Sequence, residues 1–182
     1  MNPLAIVTPT QRAAPMAFLI GLIILAVLDG AKTWYGLSLI GADGGGEGFG
    51  RISLGLSVLM LVFVSFLFIN RRRDAGEGVM LFLLPVILAA VISLIGAGIM
   101  VAVASFGMMG EYAESVGRDL QTVAQDPAFQ AEFQAWIEER PEMALGMVQP
   151  AAWAGFAAFW GTTFLFGLWF MSMKSEDEAE NA

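Results

Sequence analysis

The chain has 182 residues, 57% of them hydrophobic and only 14% charged, with a formal net charge of −8. Soluble domains carry roughly a quarter charged residues, so this composition and a mean hydropathy of +0.70 exclude an ordinary soluble fold and point to the membrane. Cysteine and histidine are absent, which excludes disulfides, thiolate zinc sites, imidazole-ligated haem and any histidine general base.

Crossing a hydrocarbon layer of about 30 Å takes about 20 apolar residues in a helix. The first such block covers about 15–35, preceded by Arg12 and closed by Trp34-Tyr35, as an aromatic belt would be at an interface. Its basic lead and apolar centre also suit a signal peptide, but Asp29 and Gly30 spoil the small-residue cleavage pattern, so a retained helix is expected. Asp29 and Lys32 are the only charges within an apolar block and lie three apart on one helix face. They form a candidate polar pair for a proton or solute path, or an interfacial pair that snorkels.

Residues 41–51 are glycine-rich and acidic and have no Gly-Lys-Ser/Thr sequel, so a linker rather than a phosphate loop is expected. The second block, 52–69, has no charge and leads into Arg71-Arg72-Arg73-Asp74. The three arginines are read as a loop that anchors topology and meets lipid headgroups. A third block spans 79–109, about 45 Å as one helix, so it must tilt, protrude or begin after Pro85.

The segment 110–149 is hydrophilic, with eight acidic residues between Glu111 and Glu142. Its apolar positions recur at helical spacing, first at Tyr112, Val116, Leu120 and Val123, then at Phe129, Phe133, Trp136 and Ile137. Asp126-Pro127 marks a helix start between the two runs. An extramembrane helical hairpin is expected, too small for a core of its own, with Phe129, Phe133, Trp136 and Ile137 as a candidate partner face. The glutamates are read as a solvated surface, without EF-hand spacing.

The fourth span is placed at 150–173 and an acidic disordered tail at 174–182. Small residues stripe spans three and four at Ala89, Ser93, Ala97 and at Ala154, Ala158. Such stripes let membrane helices approach closely, so these faces are expected to pack together. Phe156, Phe159, Trp160, Phe164, Phe166 and Phe170 allow a groove for a lipid, quinone or carotenoid, although ordinary lipid-facing and belt packing is the expected reading.

Arg71-Arg72-Arg73-Asp74-Ala75-Gly76, followed by an apolar span with an early Pro85, resembles the R-R-x-x-D-x-G signature in one family of small multi-pass bacterial inner-membrane proteins. Gly50-Arg51-Ile52-Ser53 is similar to a second motif of that family, whereas its Ser-Gly-Trp is replaced by Gly78-Val79-Met80. The resemblance implies a bacterial inner-membrane location and lends no activity.

The expected fold is an all-α bundle of four spans with the helical cap between spans three and four. Positive charge in the arginine stretch puts both termini in the cytoplasm and the cap in the periplasm. No catalytic dyad is present, and neither an enzyme nor a cofactor, metal or nucleic-acid partner is expected. The expected function is an accessory, assembly or scaffold subunit of an inner-membrane complex, in contact with lipid and with a membrane-protein partner or a second copy. A small transporter or channel component using Asp29 and Lys32 is the alternative, and a lipid-, pigment- or quinone-associated protein the third.

Overall fold

A computed structural model describes residues 8, 12–39, 46–76, 78 and 83–173. Among these there is no strand. The helices are α1 Pro15–Leu39, α2 Gly46–Asp74, α3 Leu83–Ser115, α4 Leu120–Val123, α5 Pro127–Glu138 and α6 Pro141–Met171. Four of them (α1, α2, α3 and α6) are long and apolar enough to cross a membrane. The protein is a multi-pass, all-α membrane protein.

Several boundaries differ from the sequence expectation. The second helix starts at Gly46, so half of the supposed glycine linker is helical, and 40–45 lie outside the described residues. It also runs on through Arg71–Asp74, so the arginines occupy its last turn rather than a loop. Cations there complement the negative end of the helix dipole. Residues 79–82 and the expected acidic tail 174–182 lie outside the described residues.

The helix of the fourth span begins at Pro141, with its apolar stretch at Leu145–Met171, and carries Pro150 inside. Proline suits the first helical position because its missing N–H has no intrahelical partner there. Transmembrane helices also tolerate it in the interior, where neighbours can satisfy the freed carbonyl. The expected cap 110–149 is thus built from the ends of α3 and α6 as well as from the stretch between them. It is not a hairpin of two comparable arms, since α4 is a single turn of four residues.

The end of α3 shows why the chain leaves the helix there. Gly117 adopts φ +67°, a left-handed conformation that costs glycine little. Arg118 N–H then donates to Ala113 O at 2.8 Å, and Gly117 N–H to Glu114 O at 3.1 Å, closing a Schellman motif. Asp119 caps α4 through Gln121 N–H at 3.0 Å. Asp126 caps α5 through Ala128 N–H at 2.9 Å, with Pro127 in the first turn, as the Asp-Pro pair predicts.

The expected partner face on the cap is corrected. Phe129, Phe133 and Ile137 are only 0%, 3% and 7% exposed, because α5 folds onto the protruding ends of α3 and α6. There they form a small core with Tyr112 and Ala113, flanked by Met108, Trp136 and Met147. Tyr112 lies 5.3–5.9 Å from the rings of Phe129, Phe133 and Trp136. The apolar stripe is satisfied within the chain, by length that α3 and α6 have to spare beyond the membrane.

The four spans run up and down as two pairs. Helix α3 lies along α6, where Ser93 Oγ–H donates to Gly155 O at 2.8 Å. A Cβ added at Gly155 would stand 3.3 Å from both Ala97 Cβ and Ser93 Oγ, and one at Gly96 would stand 3.4 Å from Ala158 Cβ. Such proximity lets dispersion and a cross-helix hydrogen bond hold helices together where lipid supplies no hydrophobic drive. Helix α1 lies along α2, with Gly21 directly against Leu67. The two pairs meet in a core at the arginine end, built on Phe18, Leu22, Leu67, Phe68 and Phe170 with Val86 from α3.

Candidate functional site

At the arginine end the polar groups are consumed by the fold. Arg71 is 0% exposed. Its Nε–H donates to Phe170 O at 3.0 Å, and its other nitrogens reach Asp74 and the carbonyl of Met173. The last carbonyls of α6 have no intrahelical partner, and the guanidinium of α2 supplies the missing donors. Arg72, 4% exposed, donates to Gly78 O at 2.6 Å and stands 5.7 Å above the Phe170 ring. Only Arg73 of the triplet is exposed. The headgroup-facing role expected for all three is therefore corrected for Arg71 and Arg72, whose guanidinium groups are already paired inside the protein.

Ala13 N–H donates to Asn70 O at 3.2 Å, so the start of α1, the end of α2 and the end of α6 meet at one level. Toward the opposite face α1 and α6 stay in contact, with Gly30 against the Phe156 ring. Between the helix pairs lies a cavity of about 690 Å³ lined by residues of α1, α2, α3 and α6. That volume falls within the range of small-molecule sites, roughly 300–1,000 Å³. Most of the wall is apolar, with Met60, Leu61, Leu94, Val101, Phe156 and Phe159 contributing. One patch is polar, made of Asp29, Lys32, Thr33, Ser53, Ser57 and Ser93.

The expected pair Asp29 and Lys32 is brought together there. Lys32 Nζ is 2.6 Å from Asp29 Oδ1, with the side chains 12% and 15% exposed. Lys32 also donates to Ser57 Oγ at 2.7 Å, and Trp160 Nε1–H donates to Asp29 Oδ2 at 2.9 Å. Each charge thus has an opposite charge and a neutral hydrogen-bond partner, which offsets the cost of removing it from water. Counting along the helices from the arginine end, Ala13 to Asp29 is 16 residues and Phe170 to Trp160 is ten. At 1.5 Å per residue, the pair lies about 15–24 Å into a layer roughly 30 Å deep. The pair turns inward to Ser57 and Trp160 instead of snorkelling outward.

Ser57, Ser53, Thr33 and the indole N–H of Trp160 were not singled out from sequence as part of a polar site. A signal for two of them existed: Ser53 and Ser57 stand four apart, on one face of an otherwise apolar block. The role of Trp160 depends on a residue 131 positions away, and its sequence neighbourhood of aromatics gives no hint of it. The small-residue set Ser93, Ala97, Ala154 and Ala158 lies at the α3–α6 seam. Ala89 is also fully buried.

Among the described residues, no group of three or more histidine, cysteine, aspartate or glutamate side chains could hold a metal ion. Comparison with family models, curated proteins and solved structures gives no match to this chain.

Proposed function

We propose that this protein is a lipid-binding protein of a bacterial inner membrane, holding one lipophilic molecule between its two helix pairs. The observation that carries this reading is the cavity of about 690 Å³ with a single polar patch inside an apolar wall, the pattern of a site that orients an amphiphile. The arginine end is closed by packed aromatic rings, with Phe68 in edge-on contact with both Phe18 and Phe170 at 5.2 and 5.0 Å. Binding and release then proceed from the opposite side or laterally from the bilayer, without a continuous path across. The accessory-subunit reading drew on an uncovered aromatic stripe on the cap, and that stripe is covered by α3 and α6.

Arg12 and the Arg71–Arg73 turn lie at the end where α1 starts and α6 stops, and positive charge favours the cytoplasmic side. In this orientation the cap is periplasmic and the site lies nearer the periplasmic leaflet. The absence of cysteine makes orientation simple to read: a single cysteine at Thr122 in the cap should react with a membrane-impermeant maleimide in intact spheroplasts.

Native mass spectrometry of the protein released from mild detergent tests the binding reading. One adduct of lipid mass per chain is expected, and it should vanish when Val101→Trp fills the cavity from its rim, where Val101 is 43% exposed. A bare chain, or an adduct indifferent to Val101→Trp, would count against it.

A further inference from the structure

The polar patch also constrains the head of the molecule it takes, an inference that rests on the binding reading above. An ammonium group has three N–H donors. Lys32 uses one toward Asp29 and one toward Ser57, and among the described residues it has no further partner. The hydroxyl hydrogen of Ser57 has no acceptor there either, and Thr33 and Ser53 make no hydrogen bond. All four side chains line the cavity. The site therefore offers a spare cationic donor and three hydroxyls that can each donate and accept.

Charge decides what they can meet. Asp29 already neutralises Lys32, so an anionic head would leave one uncompensated negative charge in a poorly solvated site, and a cationic head would face Lys32. An uncharged head with a strong acceptor matches both the spare N–H and the zero net charge. The spacing of the hydroxyls narrows the choice further. The hydroxyls of Ser53 and Ser57 are one helical turn apart, about 6 Å, a spacing that suits several oxygens on a flexible backbone.

We infer that the cavity takes an uncharged acylglycerol, with an ester carbonyl accepting the third N–H of Lys32 and the glycerol oxygens meeting Thr33, Ser53 and Ser57. The acyl chain lies along the apolar wall between Leu94 and Phe156.

The test uses the full chain in dodecyl maltoside micelles, which carry no competing ester lipid. A diacylglycerol with a photoactivatable diazirine in one acyl chain is crosslinked and the labelled peptides are mapped. Unlabelled competitors are dioleoylglycerol, its diether analogue without carbonyls, dioleoyl phosphatidate and an isoprenoid quinone. Labelling should fall on peptides around Leu94 and Phe156. Dioleoylglycerol should compete about tenfold better than the diether, the size expected for one hydrogen bond from a charged donor, and better than phosphatidate or quinone. Lys32→Met should erase the ester advantage, and Val101→Trp should abolish the labelling. Equal competition by ester and ether, or a stronger phosphatidate or quinone, would overturn the acylglycerol assignment while labelling stayed in the cavity. Labels scattered over the outer helix faces and unmoved by Val101→Trp would instead end the binding reading itself. The competition series on the unaltered protein needs no variant to fold.

Discussion

The two ends of the bundle use buried charge in opposite ways. At the arginine end, the guanidinium groups of Arg71 and Arg72 are spent on backbone carbonyls and on Asp74, beneath closely packed aromatic rings. At the other end, Lys32 and Asp29 are paired just well enough to be stable inside the membrane, yet one donor remains over a cavity. The difference teaches how to separate structural from functional charge in a membrane protein. Burial alone does not do it, because Arg71 is the more buried of the two cations. The discriminating quantity is the number of donors left once the fold has taken its share.

The largest effect is expected where that accounting is complete. Arg71→Met removes the cation beside Asp74 and the side-chain donor to Phe170 O and Met173 O, and should cost about 3–5 kcal/mol, the range for breaking a buried charge pair. Unfolding of purified protein in mixed micelles would measure it; a loss below about 1 kcal/mol would show that the arginine end is held by its rings alone. Next is the seam beside the cavity. Gly155→Leu drives a side chain into Ala97 and Ser93 and should cost about 1–3 kcal/mol by overpacking. The same micelle titration reads this out, and a neutral result would mean that the α3–α6 approach is adjustable.

A smaller change is expected from Trp160→Phe, which removes one donor to Asp29 while keeping an aromatic ring. About 1.5–3 kcal/mol is the usual scale for hydrogen bonds to charged groups, but Lys32 remains, so the lower end is expected. The more telling readout is lipid capture, which should weaken with the loosened carboxylate. Intact capture would detach Asp29 from the site. Arg73→Gln should do least, within about 0.5 kcal/mol, since Arg73 is exposed and surface substitutions away from special features rarely do more. A loss comparable to that of Arg71→Met would erase the distinction within the triplet.

Much of the architecture was legible in the chain. A span announces itself locally, through some 18 consecutive apolar residues, and so do the Asp-Pro cap of α5 and the small-residue stripes at the α3–α6 seam. What could not be read depends on residues far apart. Periodicity shows that Phe129, Phe133 and Ile137 share a face, but not that α3 and α6 extend far enough to cover it. The triple arginine reads as a surface loop because the carbonyls that bury the Arg71 guanidinium lie 99 and 102 residues on, although Asp74 and Gly78 are local acceptors. Asp29 and Lys32 were visible as charges in an apolar block. Whether they snorkel or turn inward was set by Ser57 on α2 and Trp160 on α6.

The bond from Arg71 to Phe170 also orders the making of the protein. The guanidinium stands at the end of the second span, and its two carbonyl acceptors arrive only at the end of the final helix. Until that end is synthesised, Arg71 has Asp74 beside it but lacks the two α6-end carbonyls. Burying so incompletely bonded a guanidinium is costly, so the end of α2 is expected to stay in water or among headgroups. Docking of the first and last spans is thereby deferred to the closing step of biogenesis, and the cavity gains its fourth wall only then. A nascent chain stalled before Phe170 should hold three inserted spans and no finished binding site.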